Sequence, residues 1–90
     1  MDIEFDPDKR MLTLKHRGLD MHEAGEVFAG PTLTIEDDRK EYGEQRFITV
    51  GLLRHRMVVL VWTKRGVARR IISMRKANDR EQAIYAKRLA

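Results

Sequence analysis

The chain has 90 residues, 42% apolar and 36% charged, with no cysteine, which suits a single domain (residues 1–90) with one modest core and excludes a disulfide framework or thiolate metal site. Its longest apolar run, Met57 to Trp62, is too short to cross a bilayer and the acidic N-terminus is unlike a signal peptide, so a cytoplasmic protein is expected. The net charge of +4 is unevenly spread: residues 1–44 hold 6 Lys/Arg and 12 Asp/Glu (net −6), residues 45–90 hold 12 and 2 (net +10), so the second half is either a polyanion-binding surface or the electrostatic counterpart of the first.

Ile3 and Phe5 alternate with acids and predict a short strand. Asp6 then serves as an N-cap, Pro7 as the first helical residue and Gly18 as the stop of a helix whose apolar stripe is Met11, Leu12 and Leu14 and whose last turn is basic. Asp20 and Glu23 have capping-box spacing before a second helix that carries Ala24, Val27 and Phe28 on one face and ends at Gly30-Pro31. From Thr32 the period becomes extended. Leu33 and Ile35 alternate with polar residues, so one face of that strand is expected to be buried. Arg46–Leu53 and Met57–Thr63 are β-branched and aromatic-rich, and the second is apolar on both faces, the mark of an inner strand. "RHR" (Arg54 to Arg56) is a weak turn and "KRG" (Lys64 to Gly66) a better one. Val67–Lys76 is the last strand. Asn78 and Glu81 then form a capping box for a final helix through Ala83, Ile84 and Tyr85. The expected fold is α+β, with two N-terminal helices packed on an antiparallel sheet of about four strands, followed by a C-terminal helix.

The last strand, "RRIISMRKA", crowds four cations around a few apolar residues. Strict alternation predicts Arg69, Ile71, Ser73 and Arg75 on one face and Arg70, Ile72, Met74 and Lys76 on the other. Arginines gathered on an open sheet face suit a bidentate grip on phosphate; the competing reading is an ordinary solvated face. His16, His22 and His55 fall in different elements without metal-ligand spacing, and no metal site or cofactor is expected. "EDDRKE" (Glu36 to Glu41) reads as a solvated loop. Trp62 reads as core.

Taken together, "FDPDK", "GLDMHEAGEVF", "GEQRFITVG" and above all "RRIISMRKANDREQAIY" resemble, in order and spacing, the BrnT toxins of bacterial type II toxin–antitoxin systems, which are small ribonucleases with a RelE-like fold. The chain departs from the family's Asn-x-x-Lys-His-Gly pattern at Thr13 and Arg17, and no catalytic role is carried over to His16. The resemblance implies a metal-independent endoribonuclease that cleaves RNA by 2′-hydroxyl attack and inhibits translation. It implies catalytic roles for Arg46, Arg70, Ser73, Arg75, Glu81 and Tyr85 and RNA-binding roles for Lys9, Arg69 and Lys76, with proton transfer falling to Glu81, Tyr85 or Lys9. The implied partners are an RNA substrate and a BrnA-like ribbon-helix-helix antitoxin, assembled with the toxin into a hetero-oligomer, with no membrane. The rival function is a non-catalytic nucleic-acid-binding module using the same basic sheet.

Overall fold

The computed structural model describes residues 2–89, which run in the order β1 (Asp2–Phe5), α1 (Pro7–Arg17), a 3-10 turn (Met21–Glu23), α2 (Ala24–Ala29), β2 (Thr32–Glu36), β3 (Arg46–Leu53), β4 (Arg56–Arg65), β5 (Ala68–Lys76) and α3 (Asp79–Leu89). The α+β class is as expected. The sheet differs in detail: it has five strands in the order β1-β5-β4-β3-β2. Strands β2 to β5 pair antiparallel, but β1 joins the edge parallel to β5, from Asp2 opposite Ala68 to Phe5 opposite Ile71. The sheet is therefore mixed. What holds β1 there is burial, since Ile3 and Phe5 pack against the core beneath α2.

Local chemistry accounts for the boundaries. Asp6 accepts from the Asp8 N–H, Pro7 opens α1, and Gly18 closes it at φ 67° by donating to the Leu14 carbonyl. The second N-terminal helix does not start at Asp20. Asp20 caps the 3-10 turn instead, and the reciprocal Glu23 contact of a capping box is replaced by an ion pair from Glu23 to Arg54. Asn78 and Glu81 do form the box: each side chain accepts from the other's backbone N–H, at 2.8 and 2.9 Å. The β3–β4 turn places two non-glycine residues, Arg54 and His55, at φ 47° and 73°, where a hairpin normally favours Asn or Gly. Arg54 offsets that strain by bridging Glu23 and Glu26 at 2.7 Å each.

β4 is the inner strand that its apolarity predicts, with β3 on one side and β5 on the other. Its alternate residues feed two cores. Val58, Leu60 and Trp62 join Leu19, Met21, Ala24, Val27, Ile71 and Met74 beneath α2, with Phe28 packed against them. Met57 and Val59 join Val50, Ala77 and Leu89 on the opposite face, with Leu33 and Tyr85 packed alongside. The helices are thus divided, the N-terminal pair on one face and α3 on the other, rather than gathered on one. Two apolar stripes fall short of the core, that of β2 only beyond Leu33. No residue of α1 is buried, so Met11 and Leu12 stand open at 63% and 56% exposure; in β2, Ile35 is 62% exposed. Among the described residues no helix is long and apolar enough to cross a membrane.

Candidate functional site

The register of β5 settles which of its cations share a face. Ser73 lies opposite Val61 and Ile71 opposite Trp62, so Ile72 is an extra residue in a β-bulge. The expected alternation breaks there. Arg69, Ile71, Met74 and Lys76 fall on the α2 face, and Arg70, Ser73 and Arg75 on the α3 face. That corrects the grouping of Arg69 with Ser73 and Arg75, which assumed a regular strand. It also unites Arg70 with Arg75. Arg46 belongs with them, because it lies opposite Thr63, which lies opposite Arg70.

Across this face the pairing register makes rows about 7 Å apart. Arg46, Thr63 and Arg70 form one row; Ile35, Ile48, Val61 and Ser73 the next; Leu33, Val50, Val59 and Arg75 a third. α3 covers the third row, where Val50 and Val59 are buried, while Ile48, Val61 and Ser73 are only half-buried. The open part is an aliphatic floor with guanidiniums along its borders.

Each guanidinium is held by the protein. Arg75 donates Nη1 and Nη2 to the two carboxylate oxygens of Glu81, both at 2.8 Å, a fork that fixes its plane. The same pair, with the Asn78 N–H, lowers the Glu81 pKa to about 2 and raises that of Arg75. A carboxylate held so low is a weak proton acceptor at neutral pH. Arg70 reaches Glu4 of β1 at 3.7 Å. Arg46 stacks on the Tyr42 ring at 4.2 Å and donates to Glu44 at 3.2 Å. Tyr85 packs against the α3-side core, beside the Arg75 row.

Sequence reasoning missed the support for Arg46. Asp37, within the stretch read as a solvated loop, is 4% exposed. Its carboxylate accepts two hydrogen bonds from Arg39, at 2.7 and 2.9 Å, and one from the Tyr42 hydroxyl at 3.1 Å. These bonds, Arg39's foremost, lower its pKa to about 2. Asp37 also donates its backbone N–H to the Arg46 carbonyl. The visible signal was an acid directly after β2 with an arginine two residues on.

The remaining sequence-selected residues lie elsewhere. Arg69 stacks over Phe28 at 4.1 Å and Trp62 at 4.8 Å on the α2 face, where burial lowers its pKa. Lys76 is exposed at the end of β5 on that same face. Lys9 sits at the β5 edge and donates Nζ to the Ile72 carbonyl at 3.3 Å. Trp62 is core, and its indole N–H donates to Thr49 at 2.8 Å. Among the described residues no three His, Asp or Glu side chains gather to hold a metal.

In comparison with known proteins, a family model described as the ribonuclease toxin BrnT of type II toxin–antitoxin systems matches residues 5–81. No curated protein matches the chain significantly.

Proposed function

The chain belongs to the BrnT family of ribonuclease toxins of type II toxin–antitoxin systems, which carries with it an RNA target and an antitoxin partner; from this we propose that it is an endoribonuclease working without a metal, whose active surface is the open α3 face of the sheet. The observation that carries the reading is the bulge at Ile72, because it places Arg70, Ser73 and Arg75 together, across from Arg46.

The ribose 2′-hydroxyl attacks the adjacent phosphorus and gives up its proton; the bond to the 5′-oxygen breaks and that oxygen takes a proton. The ends are a 2′,3′-cyclic phosphate and a 5′-hydroxyl. Charge accumulates on the phosphorane oxygens, where fixed guanidiniums stabilise it most. Arg75 is the transition-state ligand and Glu81 its positioning partner. Arg70 and Arg46 bind the flanking phosphates, and the Ser73 hydroxyl donates to a phosphate oxygen. Proton transfer falls to Tyr85, beside the Arg75 row. The partner is a ribbon-helix-helix antitoxin whose acidic or amphipathic segment covers this basic face.

The test is single-turnover cleavage of a defined RNA in EDTA. Wild type is expected to cut and leave cyclic phosphate ends, and Arg75→Ala to cut ~100–1000-fold more slowly with much smaller loss of binding. Arg75→Lys is expected to rescue only in part, since an ammonium cannot reproduce the fork. RNA bound but uncut by wild type would favour the non-catalytic binding module. Near wild-type cleavage by a folded Arg75→Ala protein would remove Arg75 from the chemistry.

A further inference from the structure

We propose that the cleft between α1 and the unpaired stretch of β5 receives one unstacked nucleobase of the RNA strand lying on the arginine face, an inference that rests on the ribonuclease reading. β1 accompanies β5 only as far as Ile71, so from Ile72 onward β5 has no strand on that side. α1 runs along the gap. Lys9 donates to the Ile72 carbonyl at 3.3 Å and Arg17 to the Met74 carbonyl at 2.9 Å. Both carbonyls are thereby capped, which blocks the addition of a peptide strand at this edge.

Between helix and edge is a cleft of about 430 Å³, within the ~300–1,000 Å³ range of small-molecule sites. Leu12 and Ile72 supply apolar surface for the faces of a base; the Thr13 hydroxyl and the His16 imidazole supply hydrogen-bonding groups for its edge. Apolar side chains against the faces of an extruded base and polar groups at its edge are one way in which such bases are held. Continuity with the arginine face comes from Ser73. It lines the cleft and also occupies the row between those of Arg70 and Arg75. A strand whose phosphate lies on those arginines therefore passes the mouth of the cleft. The cleft is basic, with Lys9 and Arg17 in its lining.

The experiment measures affinity for a mixed-sequence single-stranded RNA with 2′-O-methyl riboses, which cannot be cleaved, while one abasic residue is moved along it. Wild type is expected to lose about tenfold in affinity at one position. Thr13→Trp, which fills the cleft from a helix with no buried residue, is expected to bind the intact and that abasic strand equally. Arg70→Ala should weaken both strands and keep the difference between them. A flat scan for wild type, or an undiminished abasic penalty in Thr13→Trp, overturns the base site. Failure of wild type to cut unmodified RNA while the abasic pattern holds overturns the ribonuclease reading alone; failure to bind RNA at all overturns both.

Discussion

Arg69 and Arg70 are chain neighbours with opposite surroundings. Arg69 lays its guanidinium on Phe28 and Trp62, while Arg70 stands on the far face beside Glu4. Nothing in the dipeptide distinguishes them; the aromatic partners come from α2 and β4, and the face of each arginine depends on register. The difference is measurable in salt. Arg70→Ala should flatten the slope of log affinity for RNA against log salt by about one unit, as expected when one phosphate contact is lost. Arg69→Ala should leave the slope unchanged and instead lower thermal stability by about 0.5–2 kcal/mol, the range for a cation stacked on aromatic rings. A flattened slope for Arg69→Ala would bring that residue back to the RNA surface.

At the scale of the elements, the close seat of α2 on β3 depends on a missing side chain. A Cβ at Gly51 would come within 2.6 Å of Val27 Cγ1 and 3.1 Å of Thr32 Cγ2, and Val27 is fully buried and stiff at χ1. Gly51→Ala should therefore cost about 1–3 kcal/mol by urea unfolding; a change within error would mean that the helix shifts freely. Most elements were legible because their signals are local. The Asp6, Pro7 and Gly18 boundaries of α1, the Asn78–Glu81 box and the two-faced apolarity of β4 all needed only near neighbours. Three features were not local. The β1–β5 pairing joins residues more than sixty apart. The apolar side of α3 says that it packs, but not on which face. The bulge was hidden because "RRIISMRK" alternates acceptably in either register, and only the fixed partners on β4, Val61 against Ser73 and Trp62 against Ile71, reveal the extra residue. The candidate site followed suit: its residue types could be read, but their common face could not.

Over the whole molecule the two halves of opposite charge meet. Glu4 pairs with Arg70, Glu44 with Arg46 and Arg65, and Glu23 and Glu26 with Arg54. The asymmetry thus serves the fold as well as a basic surface. Acid should weaken the fold through a different set of pairs, each lying within one half. Asp20, Asp37 and Glu81 are each lowered to about 2 from ordinary values of 3.8, 3.8 and 4.5, chiefly by hydrogen bonds from Arg10, Arg39 and Arg75. Lowered carboxylates stabilise the fold fully above their unfolded pKa and lose that contribution as pH falls through the folded one. Stability should therefore decline between about pH 4.5 and pH 2, and Asp37→Asn should be less stable at neutral pH with a shallower decline; parallel curves would remove Asp37 from the linkage. The pairing of β1 with β5 has a consequence in time. Residues 2–5 are synthesised early but have no strand to join until residues 68–71 leave the ribosome, and Arg75 waits further for Glu81 of α3. At about 5–20 residues per second, a nascent toxin spends seconds as an incomplete sheet with its arginine face unassembled. Until Glu81 has emerged, Arg70, Ser73 and Arg75 share no finished face, so any partner that recognises that face must wait for α3.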